Sequence, residues 1–150
     1  MRTRQEGFTV VELLVAVAIS GVIASLMGTA IYQFFAVTGR GSDEMTAVHN
    51  IQNAAHWFSI DGQQASAATA GASLTLTIPS PANTVTYTLS GSEVIRTTVG
   101  LPPLTVARNI TALSFILDGR VVTMTIKSEP AGGWGVSETK KYKVYLRPTG

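Results

Sequence analysis

The sequence predicts an α+β fold: one long N-terminal helix, apolar in its first half and amphipathic in its second, packed on an antiparallel β-sheet. Three observations carry that prediction. From Leu13 to Gly39 there is no Asp, Glu, Lys or Arg, a run longer than the roughly 20 residues that span a bilayer. Beyond it, Val48, Ile51, Ala55 and Phe58 recur at helical spacing. After Gly62 the period changes to two, with Leu74, Leu76 and Ile78 alternating with threonines.

Residues 1–7 (MRTRQEG) are polar, contain Arg2 and Arg4, and show no structural pattern. The helix is expected from Phe8 to about Ile60, with Asp43 and Glu44 early in its polar half and a looser stretch at Gly39-Arg40-Gly41. Asp61-Gly62 is its expected stop, because glycine accepts the left-handed conformation that ends many helices. Ala65 to Gly71 reads as a small-residue linker. Strands are expected over Leu74–Ile78 and around Val85, Tyr87 and Leu89, with Val94 and Arg96 returning after Ser90-Gly91-Ser92. Asp118-Gly119 reads as a two-residue hairpin loop. Pairing outward from it sets Phe115 opposite Val122 and Leu113 opposite Met124, all four on one face. Pro130 to Gly135 (PAGGWG) is a loop, and Tyr142 to Leu146 is the closing strand.

At 150 residues there is room for one modest domain. A chain that is 45% hydrophobic and 13% charged, with its apolar residues crowded near the N-terminus, needs something other than a protein core to cover them. The net charge of +2 is too small to call for nucleic acid as a partner. There is no cysteine, so disulfides, thiolate metal sites and cysteine nucleophiles are excluded.

Glu12 is the residue out of place. A carboxylate deep in a membrane helix costs about 2.5–3.5 kcal/mol, and less near the interface. It needs a cation, and the nearest available is an α-amino group. A chain beginning at Phe8 would put its amine one helical turn from Glu12, and a neighbouring subunit's amine could neutralise the same carboxylate inside an apolar bundle. The alternative is an uncleaved signal anchor whose Glu12 reaches the headgroups. Along the same helix Ala16, Ser20, Ala24 and Gly28 form a stripe of small residues, which in lipid lets helices approach closely. Small residues are also simply common in membrane helices. Gly21 and Gly28 are further places for the helix to loosen.

Gly7-Phe8-Thr9-Val10-Val11-Glu12-Leu13 resembles the processing motif of type IV prepilins and type II secretion pseudopilins: a glycine, a hydrophobic residue, a glutamate five residues after the glycine, then an apolar helix. The resemblance implies a pilin-like fold and no enzymatic activity or cofactor. It implies that prepilin peptidase cuts between Gly7 and Phe8 and methylates the Phe8 amine, and that Glu12 takes part in subunit docking. Residues 1–7 would be the leader, 8–39 the transmembrane and filament-core helix, and 40–150 the extracytoplasmic domain of a single-pass inner-membrane protein. Its partners would be the peptidase, other pilin or pseudopilin subunits, the inner-membrane assembly platform and, before assembly, lipid. Ala54 to Ala65, Tyr87 to Arg96 and Val144 to Arg147 are similar to minor pseudopilins of the J type and related minor pilins. A signal-anchored extracytoplasmic binding domain that forms no filament is the competing function.

Other chemistry is sparse. His49 and His56 lie seven apart, on one helix face, but lack a third metal ligand. Phosphate-loop, zinc-protease and dinucleotide motifs do not occur. Ser137 lacks the second glycine of a nucleophile elbow. Asn109-Ile110-Thr111 fits a glycosylation sequon and equally the approach to a strand. Trp134, set among glycines, is either an exposed contact residue or folded back onto the sheet.

Overall fold

The computed structural model describes residues 9–79 and 82–148. One α-helix, α1 (Val10–Gln64), is followed by eight strands: β1 (Ala67–Ala70), β2 (Leu74–Pro79), β3 (Ala82–Ser90), β4 (Glu93–Thr98), β5 (Leu104–Ala107), β6 (Ile110–Asp118), β7 (Val121–Ser128) and β8 (Glu138–Tyr145). The chain divides after Thr38 into two units. In the first, every residue from Val10 to Phe35 is exposed. The second, from Gly39 onward, holds the core.

The expected single sheet is two. A five-stranded sheet runs β1-β2-β3-β4-β5 and a three-stranded one β6-β7-β8, all pairs antiparallel. Period-two patterning tells which face of a strand is buried but not which strands share a sheet, and so it could not separate them. The supposed linker after the helix contains β1, whose Ala68 and Ala70 pack against the core. Short apolar side chains carry little pattern, and β1 was hidden for that reason. Strand β5 was likewise unmarked; its Val106 carbonyl accepts a 2.8 Å hydrogen bond from the Asn53 amide of α1.

Three aromatic rings join the layers. Phe115 of the three-stranded sheet lies 6.3 Å from Phe58 of α1 and 6.5 Å from Tyr87 of β3, centroid to centroid. Around them pack Ile51, Leu74, Leu76, Val85, Val122 and Met124, all buried. Of the expected helix face, Ile51, Ala55 and Phe58 are buried and Val48 is half-buried.

The hairpin differs from its expected register. Asp118 pairs with Val121, so the loop residues are Gly119 and Arg120, and Phe115 faces Met124 while Leu113 faces Ile126. Gly119 supplies the positive φ (58°) that the first loop residue needs, and the Arg120 guanidinium donates to the Leu146 carbonyl at 2.8 Å. The pairing has slipped by two residues, and a slip of two leaves every side chain on its original face. Phe115, Val122 and Met124 are accordingly buried and Leu113 half-buried. Phe115→Ala is expected to cost about 3 kcal/mol and Leu113→Ala about 2, in denaturant titrations. Equal, near-zero costs would contradict this packing.

Nor does α1 stop at Asp61-Gly62 or loosen at Gly39-Arg40-Gly41; it runs through both. Gly62 is buried and serves close packing: a β-carbon there would sit 2.5 Å from Val144 Cγ1 of β8. One turn of helix end is tied to the chain's far end as well, with Arg147 N donating to Ala65 O at 2.8 Å.

Asp61, 3% exposed, anchors this junction. It accepts two hydrogen bonds from Arg96 of β4, Nε to Oδ2 at 2.7 Å and Nη2 to Oδ1 at 2.8 Å, and a third from the Tyr87 hydroxyl. The fork matches the planar carboxylate, and Arg96 Nη1 also donates to Thr98 Oγ1 at 2.9 Å while its guanidinium stacks 4.8 Å over the Trp57 ring. Burial, reinforced by the bond to Asp61, holds the Tyr87 phenol well above the usual tyrosine range. The neutral phenol is therefore the form the fold favours. Its contribution is complete below the unfolded pKa of about 10 and is lost as pH rises past it toward the folded value. Wild-type stability is expected to fall more steeply above pH ~10 than that of Tyr87→Phe, by up to about 1.4 kcal/mol per pH unit. Parallel alkaline limbs in urea titrations of the two proteins would contradict it.

Candidate functional site

The N-terminal turn of α1 is closed by its own side chains. Thr9 is the N-cap: its carbonyl accepts the first helical bond, from Leu13 N at 3.2 Å. Glu12 N donates to Thr9 Oγ1 at 3.2 Å, and Thr9 N donates back to Glu12 Oε2 at 3.3 Å. The Thr9 hydroxyl also donates to Glu12 Oε2, at 3.4 Å. This is a reciprocal capping box, satisfying two helix-terminal donors and placing a carboxylate at the positive end of the helix dipole. Thr9 was missed in the sequence, although Thr-x-x-Glu before an apolar run is the signature of such a cap. Glu12 is solvent-exposed, and its role within its own chain is to cap.

Gly7 and Phe8 lie outside the described residues. Ala16, Ser20, Ala24 and Gly28 are all exposed, with open space around Gly28. The intervening hydroxyls are absorbed by the helix: Ser25 Oγ donates to Gly21 O at 2.6 Å and Thr29 Oγ1 to Ser25 O at 3.0 Å. Such back-bonding satisfies these two hydroxyls within the helix itself. The helix contains a stretch long and apolar enough to cross a membrane.

The remaining singled-out residues fall elsewhere. His49 and His56 are both exposed, with His56 edge-on to Trp57 at 6.0 Å, and no cluster of three or more potential metal ligands exists among the described residues. Ser137 is exposed in the β7–β8 loop. Asn109, in the left-handed region at φ 56°, turns the chain into β6, and Ile110 behind it is buried. Trp134 takes neither expected position: it packs on α1 at Gly39.

The prokaryotic N-terminal methylation motif matches residues 2–28. That span takes in Gly7, Phe8, the Thr9–Glu12 cap and the small-residue stripe, and it supports a type IV pilin-like protein processed by prepilin peptidase, of a structural rather than catalytic class. The apolar helix behind the motif fits a single-pass inner-membrane anchor. No curated protein and no solved structure matches the chain.

Proposed function

We propose that this chain is the precursor of a minor pseudopilin of a type II secretion system or a minor pilin of a type IV pilus. It is cut between Gly7 and Phe8, methylated on the Phe8 amine, and assembled through residues 8–39, with residues 40–150 as its extracytoplasmic domain. The observation that carries the reading is the methylation motif over residues 2–28, running into a capped helix with no buried residue before Ala47. Cleavage at that bond leaves the Thr9 N–H intact, so the cap survives maturation. The exposed apolar surface of Val10 to Phe35 calls for cover by lipid before assembly and by other helices after it, where the Ala16, Ser20, Ala24 and Gly28 stripe permits close approach. The minor, J-type character is supported by the three segments that resemble that group. They pack on one another, Asp61 against Tyr87 and Arg96, and Gly62 against Val144.

Intact mass of the membrane-extracted protein tests the reading. Loss of residues 1–7 with gain of one methyl group is expected; a full-length chain would favour the signal-anchored binding domain. Gly7→Leu is expected to block this shortening, because a protease must approach the backbone where only a small residue stands. Normal shortening of Gly7→Leu in cells that contain the peptidase would refute the cleavage site.

A further inference from the structure

The β7–β8 connection meets the helix at two points. At the first, a β-carbon on Gly39 would lie 2.7 Å from Cε2 of the Trp134 indole and closer still to Nε1, so the ring occupies the space a side chain would need. At the second, the Asp43 carboxylate packs directly against Gly132, leaving no room for a β-carbon there. Both points belong to the second unit, four residues apart on α1, just before its first buried residue, Ala47. Glycine within a helix is intrinsically unfavourable relative to alanine, and at Gly39 the compensation is a seat for Trp134.

The docked loop also carries a cost. Asp43 Oδ2 is buried and has no hydrogen-bond partner among the described residues, and an orphaned buried acceptor opposes the conformation that buries it. The loop itself is rich in glycine, Ala131 to Gly133 are exposed, and it has no strand pairing from Glu129 to Ser137. Few contacts and an opposing penalty are the attributes of a locally unstable element.

We propose that Pro130–Gly135 is a releasable strap: docked, it holds helix residues 39–46 to the three-stranded sheet through Trp134 on Gly39; released, it uncovers Gly39 and Asp43 and frees that segment of α1. Asp43 biases the balance toward release. The strap thus sets whether these turns move with the sheets or as free helix, independently of what the protein assembles with.

Hydrogen exchange of the full-length chain in non-ionic detergent micelles tests this. Trp134→Ala and Gly39→Ala are each expected to speed exchange of amides 40–46 by about tenfold or more while those of Ile51 to Phe58 stay unchanged. The double variant is expected to match either single one, since both remove the same contact. The Gly39→Ala result is the discriminating one, because alanine alone would strengthen the helix and slow exchange. Asp43→Ala is expected to slow exchange at 40–46 in the wild-type background and to lose most of that effect when combined with Trp134→Ala. Unchanged or slower exchange in Gly39→Ala, additive effects of Gly39→Ala and Trp134→Ala, or an equal Asp43→Ala effect in both backgrounds would each overturn the strap.

Discussion

Asp61→Ala is expected to destabilise the globular unit by about 3–5 kcal/mol, because it strips a largely buried cation of the carboxylate it is paired with. Arg96 keeps its charge at any attainable pH, and its side chain is 15% exposed. Left behind, it faces Thr98 Oγ1 and the Trp57 ring, neither of which carries charge. The Tyr87 hydroxyl loses its acceptor at the same time. Losing a buried pair is not the same as doing without it. Asp61→Leu combined with Arg96→Met is expected to cost far less than the sum of the single changes, since apolar replacements of buried pairs are often close to neutral. Denaturant titration followed by Trp57 fluorescence reads both, the indole being stacked on Arg96. A cost below about 1 kcal/mol for Asp61→Ala would mean that water reaches the guanidinium and that the network is a surface feature.

The residues of this network were visible in the sequence, yet their meeting was not. Arg96 sits at an inward position of β4, between buried Val94 and buried Thr98, and an inward arginine demands an acid. Nothing in the local pattern says which acid, because the partner is 35 residues away on a different element. Gly62 shows the opposite failure: a glycine next to an aspartate carries the local signature of a helix stop, but tertiary packing against Val144 is what requires it. Faces of strands were legible and registers were not, as the hairpin at Gly119 illustrates, since a two-residue slip is invisible to burial. Trp134 was undecidable for a related reason. Its seat is a glycine on the helix, and the absence of a side chain leaves no pattern to read. At the N-terminus the information was present: Glu12 was singled out for its charge, whereas its spacing from Thr9 states its local role.

That double role of Glu12 sets the last expected result. Glu12→Ala removes the charge and the half of the cap that the carboxylate makes, leaving the Thr9 hydroxyl on the backbone N of residue 12, whereas Glu12→Gln keeps both halves, since glutamine serves equally in a capping box. Thr9→Ala weakens only the cap, at a cost of about 1 kcal/mol. If docking requires the carboxylate to neutralise the Phe8 amine of a neighbouring subunit, leaving that amine unpaired in an apolar bundle costs about 3–5 kcal/mol. At about 1.4 kcal/mol per tenfold, incorporation then falls by roughly two to three orders of magnitude. Both Glu12 variants are expected to show this fall, with Glu12→Ala slightly worse, while Thr9→Ala loses no more than about tenfold. Insertion and cleavage should be intact in all three, since removing a charge only makes the helix more apolar. Counting cleaved, membrane-retained and filament-incorporated protein separately distinguishes the steps. Wild-type incorporation of Glu12→Gln beside failure of Glu12→Ala would assign Glu12 to capping alone and leave the Phe8 amine to be neutralised by another group.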